Sequence, residues 1–341
     1  MNAPATAVSE SKLLTMFQPV EILGIKCPNR IMATPSVENQ ADTDGSVIPG
    51  LIRHYTGLAR DGAGSIIVES AYVARQGRGH QTQLGISEEE HLDGLVRLVQ
   101  NIKREGAAVG LRLSHAGAKT SEEVCNETPI GPSVYNFGRD YDVSREFDLD
   151  DCEEIVLHFV HAAERAQEVG ADFVEINGGD QLLLDQCFSL KMNGRDDEYG
   201  PNDIESRLRL GLDIVRAIRD RESITIPIAY YFSIMDKIED GFSPEDLGET
   251  VRLLEEAGVN IFHPLAIHAM NQCFDSEHCL MEWVGRYTER TMIAEGNIKS
   301  PQLLQEASEL NRADWYTLER GMFTRPQWYG FLKRKLTPPK S

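Results

Sequence analysis

Two polar side chains stand directly after a buried-looking apolar run. In the segment VEINGGDQLLLDQ, Asn177 ends the run and Asp180 follows it after two glycines. An asparagine amide both donates and accepts hydrogen bonds, whereas an ionised carboxylate only accepts them. Such a pair suits the binding of a hydroxyl or amine group, or the removal of a proton from a bound molecule. The alternative is that Asp180 only caps the following turn.

Three more side chains are candidates for the same site. Arg112 lies on the third predicted strand, His115 directly after it, and Tyr231 on the fifth. Each also has a purely structural interpretation. Arg112 can neutralise Glu69 or Glu175, since both end neighbouring strands. His115 can be a hydrogen-bonding residue of the wall, and Tyr231 an ordinary strand aromatic.

The elements that must position these residues alternate between strand-like and helix-like stretches. Eight strands are predicted, at Arg30–Thr34, Ser65–Val73, Ala108–Ser114, Phe173–Asn177, Ile224–Ser233, Val259–Pro264, Thr291–Gly296 and Trp315–Leu318. A helical stripe covers Glu154–Val169, and Ser243-Pro244 and Ser300-Pro301 mark helix starts. Without a GxGxxG motif, this order predicts an α/β fold of the (β/α)8 TIM barrel type rather than a doubly wound sheet. Chemistry in such a barrel lies at the C-terminal ends of the strands.

Composition excludes several classes of partner. The chain has 341 residues, is 41% hydrophobic, and carries a formal net charge of −20. That charge repels nucleic acid and anionic lipid, so we expect no nucleic-acid and no membrane partner. The start of the chain lacks a signal peptide, which predicts a cytoplasmic protein with a flexible tail over residues 1–15 and one barrel over 16–341.

The cysteine and histidine spacings do not predict a metal site. Six cysteines occur without a CxxC pair, so reduced structural thiols are expected. The densest group combines His263, His268 and His278 with Cys273 and Cys279, but steps of five match neither helical ligand pairs nor tight zinc loops.

Several ordered segments together resemble a known family. They are Asn29-Arg30-Ile31, Asp44-Gly45, His54-Tyr55, GSIIVESAYV, LSHAG at Leu113 to Gly117, Gly131-Pro132-Ser133, LLDQCFSLKMNGRDDEYG at Leu183 to Gly200, MDKIEDG at Met235 to Gly241, and ADWYTLERGMFTRP at Ala313 to Pro326. Through nearly its whole length the chain resembles the Old Yellow Enzyme group of FMN-binding barrels, and within it the dienoyl-CoA reductase and trimethylamine dehydrogenase branch.

The resemblance implies a cofactor and its contacts. FMN would bind at the barrel mouth, NAD(P)H or another donor would reduce it, and the protein would act on a small molecule as a homo-oligomer. Residues that the resemblance places around FMN are Pro35, Ser36, Val37 and Ser70 near the flavin ring, Arg112 at its pyrimidine edge, and Gly296 and Arg320 at its phosphate.

The departures from the family pattern concern the substrate side. The family has a histidine, a histidine or asparagine, and a tyrosine where this chain has Asn177, Asp180 and Leu182. Tyr231 replaces an arginine near the flavin, and Glu319 replaces a glycine near its phosphate. The resemblance therefore implies an oxidoreductase with a rebuilt pocket, performing dehydrogenation, demethylation or double-bond reduction.

Two other hypotheses remain open at this stage. In one, the barrel has lost redox catalysis, and Asp180 and Glu38 perform acid–base chemistry as in a lyase or isomerase. In the other, the chain is a non-catalytic binding subunit.

Overall fold

A closed barrel of eight parallel strands forms the centre of the protein, which confirms the predicted (β/α)8 fold. The computed structural model describes residues 15–34, 39–266, 268–310, 313–318, 320–323 and 327–336. The strands are β1 Val20–Ile22, β2 Ile25–Cys27, β3 Ile31–Ala33, β4 Ser65–Tyr72, β5 Ala108–Ser114, β6 Ile130–Gly131, β7 Arg145–Glu146, β8 Phe173–Gly178, β9 Ile228–Ser233, β10 Ile261–Leu265, β11 Thr291–Ala294 and β12 Trp315–Thr317. The barrel runs β3-β4-β5-β8-β9-β10-β11-β12 and closes between β12 and β3, while β1–β2 and β6–β7 form two small separate sheets.

Helices follow the barrel strands along the chain. The α-helices are α1 Pro49–Arg60, α2 Leu92–Arg104, α3 Glu122–Cys125, α4 Leu149–Glu168, α5 Leu183–Phe188, α6 Ile204–Asp220, α7 Met235–Ile238, α8 Pro244–Ala257, α9 Leu280–Tyr287, α10 Pro301–Leu310, α11 Arg320–Phe323 and α12 Trp328–Leu336. Among these described helices, none has the length and apolar character needed to cross a bilayer.

Most predicted strand boundaries differ from the observed ones by one or two residues, and the two largest differences are explained by side-chain hydrogen bonds. Helix α4 begins at Leu149 rather than Glu154, because the side chain of Asp148 accepts a hydrogen bond from the backbone N–H of the third helical residue in a capping box. Strand β9 begins at Ile228 rather than Ile224, because the Gln167 side-chain carbonyl accepts the N–H groups that would otherwise enter the ladder. The helices predicted after Ser243 and Ser300 are confirmed.

Each barrel strand contributes one buried residue to an apolar floor. Phe173 and Trp315 stack there with ring centroids 5.9 Å apart, and the β1–β2 hairpin packs on the same cluster. Gly110 makes room for this packing, because a Cβ at that position would lie 2.3 Å from the Phe173 ring. Charged side chains appear further along the strands, where Arg112 pairs in register with Glu175. The floor therefore closes one end of the barrel and leaves a polar layer facing the other.

Candidate active site

A cavity of about 520 Å³ lies at the C-terminal end of the barrel, where the sequence predicts the site. Its polar lining includes Ser70, Gln83, Arg112, Asp180, Tyr231 and Glu295. The structure thus brings together four of the residues predicted from the sequence, and adds Glu295, which sequence reasoning missed.

Asn177 braces the turn that carries Asp180. The buried Asn177 amide donates hydrogen bonds to Ser70 Oγ and to Asp180 Oδ2, each over 3.3 Å. Its carbonyl oxygen accepts the backbone N–H of Gly179 over 3.0 Å. Asn177 is 1% exposed and its side chain lies behind the cavity lining, where these three hydrogen bonds brace the turn.

The turn after β8 holds a strained backbone. Asp180 and Gln181 both have left-handed backbone angles, with φ of 59° and 57°. Such a conformation costs about 1–2 kcal/mol for each residue that has a Cβ. The turn is held by Lys119 Nζ, which donates to the Asp180 carbonyl over 2.8 Å, and by Asp185, which accepts the Gln181 N–H over 2.8 Å. Strain kept in place by several contacts at a cavity wall is typical of a functional site.

A buried ion pair anchors this turn from the neighbouring strand. Lys237, in the helical turn after β9, forms a short ion pair with Asp185, and both side chains are 3% exposed. Burial raises the pKa of the Asp185 carboxyl, and Lys237 opposes that rise. Because a buried carboxylate is costly without its partner, the pair ties the position of Asp180 to that of the β9 loop.

Arg112 has one amino group left over after its contacts with the protein. Its Nε pairs with Glu175, and its guanidinium carbon lies 4.0 Å from the centroid of the Tyr231 ring. Nη1 is 3.9 Å from Asp180 Oδ2, and Nη2 is buried without a hydrogen-bond partner among the described residues. Burial lowers the pKa of Arg112, but Glu175 and the other acidic groups outweigh it, so the net shift is upward and the side chain stays charged.

Tyr231 faces Asp180 across the mouth. Its hydroxyl donates to Asp180 Oδ1 over 3.4 Å, and its ring packs edge-on against His263 with centroids 5.0 Å apart. Burial is the largest cause that raises the pKa of the Tyr231 phenol, followed by the charge of Glu295. The phenol therefore remains a hydrogen-bond donor to the carboxylate.

A carboxylate–imidazole–carboxylate chain crosses the polar layer beneath the cavity. His263 Nδ1 lies 2.5 Å from Glu175 Oε1, and its Nε2 lies 2.6 Å from Glu295 Oε2. Burial opposes protonation, but the two carboxylates raise the pKa of His263 to about 9. Burial likewise opposes ionisation of Glu175, while Arg112 and His263 lower its pKa overall. At neutral pH His263 is therefore an imidazolium, paired with the Glu175 carboxylate on one side and facing Glu295 on the other.

His115 lies behind the cavity wall. It is 2% exposed, its Nδ1 accepts the backbone N–H of Gly117 over 3.1 Å, and a Cβ at Gly77 would lie 2.3 Å from its ring. Burial lowers the pKa of His115 to about 3, so the ring is neutral. A direct site role for His115 stays a prediction, and its position favours the structural alternative.

The remaining predicted contacts divide between described and undescribed residues. Gly296 has φ of +148°, and a Cβ there would lie 2.2 Å from the backbone nitrogen of Ala269, so the loops after β10 and β11 touch at this glycine. Predicted residues that lie outside the described part of the chain are Pro35, Ser36, Val37, Glu38 and Glu319, together with the side chain of Arg320.

The histidines in the densest histidine–cysteine group have separate partners. His263 pairs with two glutamates, whereas His268 Nδ1 lies 3.1 Å from the Asn297 side-chain nitrogen. Among the residues that the structure describes, no three histidine, cysteine or acidic side chains form a group that could hold a metal ion.

Comparison with known proteins places this barrel in a family. The model of the NADH:flavin oxidoreductase / NADH oxidase family matches residues 15–337. An NADPH dehydrogenase from Geobacillus sp. (strain WCH70) is 32% identical over 318 residues, covering 92% of each chain. An NADH oxidase from Thermoanaerobacter brockii is 29% identical over 324 residues, covering 92% of this chain and 50% of its own length. The chain belongs to the NADH:flavin oxidoreductase / NADH oxidase family.

Solved structures share the fold. A 2-naphthoyl-CoA reductase superposes with a TM-score of 0.83 at 24% identity, over 95% of this chain and 53% of the other. An old yellow enzyme homologue from Zymomonas mobilis gives 0.78 at 19% identity, over 94% and 93%. These structures agree with the barrel fold, and the family match over residues 15–337 confirms the predicted Old Yellow Enzyme-like, NADH:flavin oxidoreductase family, whereas the branch within it stays a prediction. The chain spans about half the length of the NADH oxidase and of the naphthoyl-CoA reductase chain.

The described cavity fits the ring of the family's cofactor, FMN. Arg112 Nη2 is a buried guanidinium nitrogen that has no partner within the described ranges, and the carbonyl oxygens of a flavin pyrimidine edge provide the acceptor it needs. Ser70 and Gln83 line the same cavity. These residues would hold the ring end of the cofactor, which supplies hydride transfer when bound.

Proposed function

We propose that this chain is an FMN-dependent oxidoreductase that exchanges hydride with a small organic substrate bound at Asp180 and Tyr231, with NAD(P)H as its reductant. The names of the relatives, NADPH dehydrogenase and NADH oxidase, support the choice of reductant. In this proposal Asn177 positions Asp180, and Arg112 contacts the flavin ring.

The observation that carries the proposal is the buried, unsatisfied nitrogen of Arg112. Leaving a buried charged donor without an acceptor costs more than about 1–3 kcal/mol. Among the described residues the remaining contacts of Arg112 are already made by Glu175, Tyr231 and Asp180. A bound ring with carbonyl oxygens at this point removes the cost, which supports a cofactor above the polar layer.

The charges around the cavity favour a cationic or hydroxylated substrate. Three carboxylates line it, from Glu69, Asp180 and Glu295, against two cations, Arg112 and Lys119. Arg112 is already paired with Glu175, and Lys119 donates to a backbone carbonyl. The excess of acceptors suits an amine or a polyol-like group, since both donate hydrogen bonds to carboxylates. Dehydrogenation or demethylation of such a group is therefore the reaction we favour over reduction of a simple enone.

A substrate panel tests this assignment. The holoenzyme is mixed anaerobically with N-methylated amines and with polyols, and the visible absorbance of the flavin is followed. We expect one of these donors to bleach the flavin. In a parallel experiment, the dithionite-reduced protein is mixed with 2-cyclohexen-1-one. Rapid reoxidation by the enone, together with no bleaching by any amine or polyol, would contradict the proposed substrate class.

Two expectations from the sequence accompany the proposal as predictions. Assembly into a homo-oligomer follows from the family resemblance and is tested by sedimentation velocity. A cytoplasmic location is tested by fractionation of cells that express the native chain.

A further inference from the structure

In the family that this chain resembles, a tyrosine supplies the proton, and this chain has another residue at that position. A different acid, Glu295, lines the cavity. Glu295 directly follows β11, lines the cavity, and has a side chain that is 22% exposed. The side chain of His263, which pairs with Glu295, is 0% exposed. The side chain of Glu175, which pairs with the other ring nitrogen of His263, is also 0% exposed. Glu295 is thus the only member of the Glu175–His263–Glu295 chain that reaches the cavity.

We propose that Glu295 exchanges the proton that accompanies hydride transfer, with His263 and Glu175 acting behind it as a relay. The inference rests on the proposed function and deepens it by assigning the proton route. Glu295 is the catalytic residue in this proposal, because it faces the reacting molecule, whereas His263 and Glu175 are positioning residues.

The order of the groups gives the relay its direction. Nε2 of His263 and Oε2 of Glu295 lie 2.6 Å apart as an ion pair but without the angle of a hydrogen bond, so the Glu295 carboxyl group must turn before a proton can pass between them. On the other side, Nδ1 lies 2.5 Å from Glu175 Oε1, which fixes the orientation of the ring. Glu175 is in turn paired with Arg112. The buried charges of Arg112, Glu175, His263 and Glu295 sum to zero, so the imidazolium can be kept in the barrel interior.

Asp180 is less suited to this task. It accepts hydrogen bonds from the Asn177 amide and the Tyr231 hydroxyl, and Arg112 Nη1 is 3.9 Å away. The amide and guanidinium groups have no ready proton to give to Asp180, and burial keeps the proton on the Tyr231 phenol by raising its pKa. The two acids therefore divide the work, with Asp180 binding the substrate and Glu295 moving the proton.

The backbone fixes Glu295 where the relay needs it. Gly296 accepts a hydrogen bond from the Ala269 N–H over 2.8 Å, and only a glycine allows this approach. Ala269 belongs to the loop after β10, the strand that carries His263. The contact therefore holds the loop of His263 beside the loop of Glu295.

The proton balance closes in both directions. In reduction of a double bond, hydride from the reduced flavin forms one C–H bond, and Glu295 gives a proton to the other carbon after taking one from His263 Nε2. In oxidation of an amine or alcohol, Glu295 accepts the N–H or O–H proton while hydride leaves the adjacent carbon for the oxidised flavin. After reduction, water at the cavity mouth returns a proton to His263 through Glu295. After oxidation, water takes the proton from Glu295, because His263 already carries one.

The first test measures the protonation of His263 and requires no substrate. In the holoenzyme labelled with ¹⁵N-histidine, the nitrogen shifts are followed from pH 5 to 10, and the His263 signals are assigned by their loss in His263→Gln. Groups that face this ring are Glu175, Tyr231, Glu295 and, through Glu175, Arg112. We expect an imidazolium that titrates near pH 9. In Glu295→Gln the midpoint should fall, because one of the two carboxylates that stabilise the imidazolium is gone.

A kinetic arm separates a relay from a purely structural contact. Glu295→Gln keeps an acceptor for Nε2 but carries no exchangeable acid, so the maximal rate of flavin reduction by the active donor should fall about 100-fold. FMN binding should be retained. An unchanged maximal rate, or a His263 titration that is the same in wild type and Glu295→Gln, would overturn the proposal.

If His263→Gln does not fold, His263→Asn or the signals perturbed in Glu295→Gln provide the assignment. A protein without bleachable flavin would contradict the proposed function. The His263 titration would still show whether Glu295 and Glu175 interact with the His263 ring.

Discussion

Replacing Glu175 with alanine should lower the free energy of unfolding by about 3–5 kcal/mol, because it leaves two buried cations without their shared partner. The carboxylate is 0% exposed and accepts both Arg112 Nε and His263 Nδ1. Urea unfolding at pH 7, followed by tryptophan fluorescence, measures the change.

The matched control is a glutamate on the surface. Glu249 pairs with Arg252 on helix α8, and their side chains are 43% and 50% exposed. Exposed ion pairs contribute about 0–1 kcal/mol, so Glu249→Ala should change stability far less. Equal losses in the two variants would show that the Arg112–Glu175–His263 network is not a buried ionic core.

The pH dependence of stability follows from the same network. The pKa of His263 is raised from 6.5 to about 9, so its contribution is complete below the unfolded value and is lost as pH rises through about 9. The pKa of Glu175 is lowered, so its contribution is complete above the ordinary glutamate value and is lost as pH falls through the lowered one. Urea unfolding of the wild type should therefore show the greatest free energy of unfolding at pH values above the ordinary pKa of a glutamate and below the unfolded pKa of a histidine.

Asp180→Asn should lower the rate of flavin reduction at low donor concentration about 100-fold, by removing a charge-assisted hydrogen bond to the substrate. Asparagine is the informative replacement, since it keeps the size of the side chain and tolerates the φ of 59° at this position. Stopped-flow absorbance with the best amine or polyol donor gives the rate constants. The maximal rate should change less than the donor concentration at half-saturation, in contrast to Glu295→Gln.

Gln181→Asn provides the control for the Asp180 experiment. Gln181 lines the same cavity and has φ of 57°, so this change preserves the left-handed turn and leaves the carboxylate in place. We expect rates within a few-fold of the wild type. A loss in Gln181→Asn as large as in Asp180→Asn would mean that the turn geometry, and not the carboxylate, governs binding.

The eight barrel strands were predictable because parallel strands buried on both faces appear as short apolar runs. All eight predicted runs correspond to barrel strands. The errors at Leu149 and Ile228 arose where a side chain, from Asp148 or Gln167, replaces a backbone partner. Such local substitutions of one hydrogen bond for another carry little signal in hydrophobic periodicity.

The site was predictable only in part. Asp180, Arg112 and Tyr231 could be placed at the mouth because strand ends in a barrel converge there. The Glu175–His263–Glu295 chain was missed, because His263 was considered only as one of several possible metal ligands. Its signal was a charged residue inside an otherwise apolar strand, in β8 and again in β10. Which of these residues touch depends on register around the closed barrel, and the register is set by packing that a single sequence does not display.

The visible spectrum of the purified protein before and after anaerobic addition of NADPH, and then of NADH, tests the central claim most directly. The account predicts flavin absorbance bands that bleach with at least one of the two, because it assigns the cavity above Arg112 to the ring of FMN and the family uses NAD(P)H. A colourless protein that also fails to bind added FMN would contradict it, and would direct attention to the acid–base alternative built on Asp180 and Glu38.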